Sequence, residues 1–184
     1  MNYEKIDKCS VSEGQGVRVV LWVSGCTLHC KNCHNPQTWD FNSGIPFTGE
    51  AMQEILECLD KPYISGLTIS GGHPLEAENI KAVEIITRIV KDKFPQKNIW
   101  LYTGYTWEYI YGIISCFKNP AKYSYIPTQA DYSLDEIISL VDVIVDGSYK
   151  DELRDITLSF RGSTNQRIID VKKSLDAGEA VLYE

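Results

Sequence analysis

The alternation of apolar, β-rich runs with helix-period segments is the feature that most limits how this chain folds. Four runs rich in β-branched residues are predicted to be strands: Val17–Val23 and residues 66–70, 99–102 and 141–145. Segments with helical spacing lie between them. Strands that alternate with helices form βαβ units, and almost continuously apolar strands are typical of parallel sheets covered on both faces. The sequence therefore predicts an α/β fold with mostly parallel strands.

The helical segments are identified by the spacing of their apolar residues. Thr48 is a predicted N-cap, and the apolar residues after it recur at the spacing of one helix face. Ser133 and Glu136 form a capping-box pattern ahead of an apolar pair, which predicts another helix start there. The predicted helices are residues 52–59, 78–93 and 110–117, together with the one that starts at Ser133.

The remaining parts of the chain carry weaker patterns. Residues 118–132 fit neither period and are expected to be a surface insertion, while residues 166–171 are predicted to be a last strand. Residues 172–184 have no clear pattern and are treated as a tail. No repeat, low-complexity tract or linker interrupts the sequence, so we expect residues 1–184 to form a single domain.

Charge and composition exclude several classes of function. The net charge is −7 and the lysines are interleaved with acidic residues, so the basic stripe of a nucleic-acid-binding protein is missing. No run approaches the roughly 20 apolar residues that span a bilayer, and the N-terminus lacks the basic and apolar regions of a signal peptide. We therefore expect a cytoplasmic protein that binds neither nucleic acid nor membrane.

The cysteine spacing points to a metal site. Of six cysteines, Cys26, Cys30 and Cys33 form a C-x3-C-x2-C motif directly after the first predicted strand, at the strand edge where α/β proteins bind ligands. A cubane iron–sulfur cluster normally takes four thiolates, so three local thiolates leave one iron open to a substrate. The alternative is a zinc site in which His29 or His34 supplies the fourth ligand.

The chain resembles the radical S-adenosylmethionine superfamily, and within it the activating proteins of the anaerobic ribonucleotide reductase. The superfamily resemblance rests on the three-cysteine motif and on Gly71-Gly72-His73-Pro74 after the second predicted strand. The closer resemblance rests on an ordered set of short motifs spread along the chain. They are Gly14-Gln15-Gly16 with Arg18, Val23-Ser24-Gly25-Cys26, Asn35 with Thr38-Trp39, residues 99–105, Val145-Asp146-Gly147, Arg161-Gly162-Ser163 and Asn165-Gln166.

The resemblance implies a partial (β/α) barrel, open at the carboxyl edge of its strands. It also implies that Cys26, Cys30 and Cys33 ligate one [4Fe–4S] cluster per chain. S-adenosylmethionine is then expected to lie against a second group of residues and to be cleaved reductively to a 5′-deoxyadenosyl radical. By the same resemblance, that radical installs a glycyl radical on the anaerobic ribonucleoside-triphosphate reductase, and a flavodoxin donates the electron. The residues expected to contact S-adenosylmethionine are Asn32, Cys33, His34, Gly71, Gly72 and His73.

The chain departs from the family pattern at three places. His73 stands where the third residue of the Gly-Gly motif is usually acidic, and Asn32 and His34 flank the third cysteine where many relatives have an aromatic residue. Residues 118–132 are longer than the corresponding part of short relatives. Two other functions stay open: a small radical enzyme that acts on a metabolite, such as a relative of the deazaguanine-forming synthases, and a zinc-stabilised interaction module without catalysis.

Overall fold

The centre of the fold is one open sheet of seven strands. The computed structural model describes residues 1–184 and places the strands in the order β3-β1-β2-β4-β5-β6-β7. The two ends of this order do not pair with each other, so the sheet is not closed. The strands are β1 (Asn2–Ser10), β2 (Val17–Val23), β3 (Ile45–Pro46), β4 (Ile64–Gly71), β5 (Asn98–Tyr102), β6 (Val143–Asp146) and β7 (Arg167–Asp170).

Four neighbouring strands are parallel, as the sequence predicts. β2 pairs with β4, β4 with β5 and β5 with β6, all in parallel, and the connections between them contain helices. Because these four strands are parallel, their carboxyl ends lie at the same edge of the sheet. This edge holds the candidate site described below.

The prediction of a mostly parallel sheet is wrong, because the sheet is mixed. β1 runs antiparallel to β2, β3 antiparallel to β1, and β7 antiparallel to β6. β1 escapes sequence-based prediction because its half-exposed residues include lysines and acidic residues in place of a continuous apolar run. The strands at both margins are therefore antiparallel additions to a parallel centre.

Six α-helices accompany the sheet, and three of them match the predicted helices. Thr48 is the N-cap of the first helix, as predicted, and the predicted ends of the second helix are correct to within one residue at its start. The helices are α1 (Gly49–Leu59), α2 (Ala77–Lys93), α3 (Trp107–Lys118), α4 (Pro120–Tyr123), α5 (Gln129–Leu140) and α6 (Val171–Ala177). None is long and apolar enough to cross a membrane.

The predicted helix start at Ser133 is wrong. The capping box of α5 is formed by Thr128 and Asp131, not by Ser133 and Glu136, and Ser133 is instead buried and donates a hydrogen bond to Glu84. Residues 118–132, the expected surface insertion, include α4 and the first turn of α5. Residues beyond 172 form most of α6, followed by a bridge from Leu182 to β7.

The two faces of the sheet are covered in different ways. Side chains alternate between the faces of a strand, and every second residue of the central strands joins one cluster of 31 buried hydrophobic residues together with the helices. Area removed from water here stabilises the fold at about 25 cal/mol per Å². The strand residues on this face are Val19, Leu21, Val23, Leu67, Ile69, Ile99, Leu101 and Ile144.

The opposite face is covered by loops and by the end of the chain. Trp100 packs edge-on against Phe160 and Tyr183, with ring centroids 5.5 and 5.4 Å apart. Beside it, the fully buried guanidinium of Arg18 donates to the hydroxyl of Thr68 at 2.7 Å, and burial lowers the pKa of Arg18 to about 10. A charge is tolerated there because neutral oxygens surround it as hydrogen-bond acceptors. The carboxyl end of this face opens into a cavity.

Candidate iron–sulfur site

A cavity of about 400 Å³ lies at the carboxyl edge of the parallel strands. Its lining comes from the connections that follow β2, β4, β5 and β6, together with residues 158–166. The volume is within the usual range for small-molecule sites. Two of these connections are central below: the cluster loop (residues 24–35), which follows β2, and the glycine loop (residues 71–74), which follows β4.

All three cysteines of the motif line this cavity, and all are free thiols. Cys26 is buried, whereas Cys30 and Cys33 are half-buried. Burial raises the pKa of Cys26 and of Cys30, although backbone N–H groups partly oppose that effect, those of Leu28 and His29 at Cys26 and that of Tyr149, in the connection after β6, at Cys30. His29 and Asn32 adopt left-handed backbone conformations, with φ of 43° and 55°, and so curl the cluster loop back on itself.

The histidines proposed as zinc ligands are engaged in other contacts. His29 stacks on Trp39 with ring centroids 4.6 Å apart, and His34 lies against Tyr149 at 5.0 Å. No group of three or more His, Cys, Asp or Glu side chains is arranged to hold a single metal ion. A mononuclear site needs its ligands about 2.0 to 2.3 Å from one point, whereas a cubane spreads its thiolates over separate irons. The three thiols therefore fit a cluster better than they fit one zinc ion.

The glycine loop packs directly against the cluster loop. The N–H of Gly72 donates to Val23 O and the N–H of His73 donates to Gly25 O, both at 2.7 Å. Gly71 has a φ of 105°, which strongly favours glycine. A Cβ on Gly72 would lie only 2.5 Å from Gly25 O. Glycine is therefore required at positions 71 and 72 for this close approach between the two loops.

His73 is almost fully buried, at 1% exposure, and lines the cavity. Its Nε2 is 2.8 Å from the hydroxyl oxygen of Thr103, and its Nδ1 is 3.3 Å from a carboxylate oxygen of Glu76 without a proper hydrogen bond. Burial lowers the pKa of His73, although Glu76 partly opposes that effect. Burial therefore favours the neutral form of this imidazole.

The predicted ligand-contacting residues are only partly gathered in the cavity. Cys33, His34, Gly71, Gly72 and His73 line it. Asn32 does not line it, and its side-chain amide instead donates to a carboxylate oxygen of Asp151 at 2.8 Å. That bond joins the cluster loop to the connection after β6.

Several lining residues carry no role in the sequence-based prediction. The indole Nε1 of Trp39 and the Nε of Arg161 are buried donors without a partner, and both residues line the cavity. Unpaired buried donors are costly, so these two suit a ligand that offers acceptor atoms. Both belong to the family motifs recognised in the sequence, which is the only signal that marks them. A ligand with a carboxylate and ring nitrogens would satisfy such donors.

Comparison with known proteins defines the class to which this fold and site belong. Residues 12–169 match the protein family described as a 4Fe-4S single cluster domain, and this span includes the cluster loop and the glycine loop. The chain is thus a protein with a four-iron cluster domain, and the predicted iron–sulfur class is confirmed.

Curated relatives define the family more narrowly. The anaerobic ribonucleoside-triphosphate reductase-activating protein of Enterobacteria phage T4 is 38% identical over 91% of this chain and 93% of its own length. The proteins of the same name from Vibrio cholerae and Escherichia coli are 36% and 32% identical, over 91% and 90% of this chain and 97% and 96% of theirs. The chain belongs to the family of anaerobic ribonucleoside-triphosphate reductase-activating proteins, as its motifs predict.

Proposed function

We propose that this chain cleaves S-adenosylmethionine reductively at a [4Fe–4S] cluster and thereby activates an anaerobic ribonucleoside-triphosphate reductase. The observation that carries the proposal is the single cavity in which three free thiols meet the glycine loop. Residues about 40 positions apart in the sequence converge there. The names of the relatives and the cluster-domain family support the same activity.

The proposed cluster ligands are Cys26, Cys30 and Cys33. Their placement on one loop beside a ligand-sized cavity supports a cluster with three protein ligands and one iron free for substrate. The other three cysteines lie outside this cavity: Cys58 is buried in α1, Cys9 is on β1 and Cys116 is on α3. They are not part of the proposed ligand set.

The proposed S-adenosylmethionine contacts divide between the two loops. Gly71, Gly72 and His73 line the cavity on the side proposed for the methionine part. The N–H groups of Gly72 and His73 are already donated to Val23 O and Gly25 O, so the glycine carbonyls are the main-chain atoms left for the ligand. Cys33 and His34 line the cavity from the cluster loop, where the imidazole of His34 gives the adenine a face to stack on. Asn32 is the remaining proposed contact, although Asp151 holds its side chain and the residue does not line the cavity.

A reduced cluster held by Cys26, Cys30 and Cys33 would supply the one electron that cleaves the S–C5′ bond of S-adenosylmethionine into methionine and a 5′-deoxyadenosyl radical. That radical would take a hydrogen atom from a glycine Cα of the reductase and leave as 5′-deoxyadenosine. The protein's residues position these groups and exclude water around them. His73 and Glu76 need not transfer a proton in this reaction, which fits their burial and mutual contact.

The fold proposed for this activity is a partial (β/α) barrel formed by one domain over residues 1–184. The parallel strands β2, β4, β5 and β6 and the single large core cluster support it. The open edge of the sheet suits a large protein substrate, which must insert a glycine-bearing loop. A flavodoxin is the proposed electron donor, and the cytoplasm, which keeps thiols reduced, is the proposed location.

Two other functions make different predictions. A radical enzyme acting on a metabolite would cleave S-adenosylmethionine without leaving a radical on the reductase. A zinc-stabilised interaction module would bind zinc without iron or acid-labile sulfide. The match of residues 12–169 to a 4Fe-4S single cluster domain favours the cluster over zinc.

The release of 5′-deoxyadenosine tests the proposed function. The protein is reconstituted anaerobically, mixed with dithionite and S-adenosylmethionine, and compared with the variants Cys30→Ala and Cys116→Ala. We expect about four irons per chain in the unmodified protein. We expect Cys30→Ala to release no 5′-deoxyadenosine, whereas the control Cys116→Ala keeps the activity. Unchanged turnover in Cys30→Ala, or zinc in place of iron in the unmodified protein, would contradict the proposal.

A further inference from the structure

The relative position of the cluster loop and the glycine loop decides the shape of the cavity. Main-chain hydrogen bonds from the glycine loop to Val23 and Gly25 join them at their bases. Beyond Gly25 the cluster loop leaves the sheet and carries Cys26, whose N–H donates to Trp39 O at 3.1 Å. The next residue, Thr27, has no main-chain hydrogen bond of this kind and depends on a contact made by a side chain. The structure contains one such contact next to Cys26, and it comes from the start of α2.

Glu76 makes that contact from the end of the connection between β4 and α2. One carboxylate oxygen of Glu76, Oε1, accepts the backbone N–H of Thr27 at 2.8 Å and the hydroxyl of Thr27 at 2.7 Å. The same oxygen is 3.3 Å from Nδ1 of His73 in the glycine loop. A single oxygen atom therefore touches both loops, and on the cluster loop it holds the residue that follows Cys26.

A purely local role does not account for this side chain. Glu76 occupies the N-cap position of α2, yet its carboxylate makes no hydrogen bond to the helix N-terminus. It is only 6% exposed, and a buried carboxylate is costly unless hydrogen bonds compensate. Burial raises its pKa, but the hydrogen bonds from Thr27 and the nearby His73 outweigh that effect and hold the pKa below its ordinary value. The carboxylate is thus committed to the two loops rather than to its helix.

Asn79, one turn further along α2, has a different role. Its amide donates to Ser24 O at 2.9 Å and to His73 O at 3.1 Å. These bonds satisfy main-chain carbonyls at the base of both loops, and they do not reach the part of the cluster loop that carries the cysteines. Glu76, the N-cap of α2, does reach that part of the cluster loop.

We infer that Glu76 is a positioning residue for S-adenosylmethionine. By holding Thr27, Oε1 of Glu76 fixes the neighbouring Cys26. The distance between Cys26 and the glycine loop is then one at which a single ligand can contact Cys26 and the glycine loop together. This inference rests on the proposed function and adds a residue that touches neither the cluster nor the ligand. Because the hydrogen-bond acceptor carries the effect, an amide oxygen in the same place preserves most of it.

The test compares three variants of the same helix turn in the reconstituted protein. Glu76→Ala removes the acceptor, Glu76→Gln retains one, and the control Glu78→Ala changes an exposed residue that makes no contact with either loop. With equal iron content, we expect Glu76→Ala to raise the KM for S-adenosylmethionine about tenfold or more, while kcat changes less. Glu76→Gln and Glu78→Ala are expected to stay close to the unmodified protein.

A second readout does not depend on activity. Hydrogen–deuterium exchange of the peptide that contains Thr27 is measured on the full chain before and after reconstitution, and it is expected to be faster in Glu76→Ala only. In the reduced protein, the change that S-adenosylmethionine causes in the cluster's electron paramagnetic resonance signal should need about tenfold more ligand in Glu76→Ala. A structural defect alone would lower iron content or stability without this shift in ligand concentration.

The outcomes separate the inference from the function on which it rests. If the unmodified protein releases no 5′-deoxyadenosine, the proposed function fails. If it is active and Glu76→Ala matches it in KM, exchange and titration, the inference about Glu76 is wrong. Should Glu76→Ala not fold, Glu76→Asp decides: the side chain is one methylene group shorter, which withdraws the carboxylate from both the N–H and the hydroxyl of Thr27, and an unchanged KM in that variant overturns the inference.

Discussion

Substitution of Gly72 by alanine tests the close packing of the two loops. A Cβ at this position would lie 2.5 Å from Gly25 O and 3.0 Å from Thr38 O, and both are backbone atoms that cannot rotate away. Relief of the contact requires the loops to separate by about 1 Å. That movement weakens the bond from the N–H of His73 to Gly25 O. Overpacking of this kind costs about 1–3 kcal/mol of unfolding free energy.

The same displacement acts directly on the cavity. A misplacement of about 1 Å in a positioned site costs roughly a hundredfold in rate, so we expect Gly72→Ala to lose about that factor in 5′-deoxyadenosine release. Urea unfolding followed by circular dichroism measures the loss of stability. Gly112→Ala is the matched control, because a Cβ there meets nothing within 4 Å and the residue lies inside α3, where alanine stabilises by about 0.5–1 kcal/mol. If Gly72→Ala keeps both stability and activity, the packing described here is wrong.

Two further predictions concern charged side chains away from the cavity. Arg18 donates to Leu67 O at 2.7 Å and to the amide oxygen of Asn98 at 2.6 Å, and Arg18→Met removes both donors. We expect urea unfolding to show a loss of about 3 kcal/mol in unfolding free energy, and a loss below about 1 kcal/mol would contradict this. Glu108 accepts two bonds from Arg167, which hold its pKa at about 2, so its stabilisation is present above pH about 4.5 and is lost as the pH falls towards 2. Because Glu108 is 62% exposed, Glu108→Gln should cost less than about 1 kcal/mol at pH 7 and nothing near pH 2, and a pH-independent difference would refute the pairing.

The parallel centre of the fold was predictable because its signal is local. β2, β4, β5 and β6 are short apolar runs, and the helices between them carry regular apolar stripes. β1 was not predictable, since it lies near the margin of the sheet, is covered by β3 only at Asn2 and Tyr3, and keeps polar residues that the central strands exclude. The start of α5 was misplaced because two capping patterns compete there, and the contact of buried Ser133 with Glu84 depends on packing between helices.

The candidate site was also only partly predictable from the sequence. The order of motifs along the chain identifies the cluster loop and the glycine loop, and strand order alone brings them to one edge of the sheet. The contact between Glu76 and Thr27 joins residues 49 positions apart, so no spacing rule reveals it. The hydrogen bond from Asn32 to Asp151, 119 positions away, could not be predicted for the same reason. This bond directs the side chain of Asn32, a predicted ligand contact, away from the cavity.

The most direct test of the central claim is an electron paramagnetic resonance measurement on the reductase itself. The reconstituted chain is incubated anaerobically with reductant, S-adenosylmethionine and an anaerobic ribonucleoside-triphosphate reductase. The proposed function predicts a glycyl-radical doublet on the reductase, which is absent when Cys30→Ala replaces the unmodified chain. Release of 5′-deoxyadenosine without any doublet would contradict activation of the reductase and would favour a metabolite as the substrate.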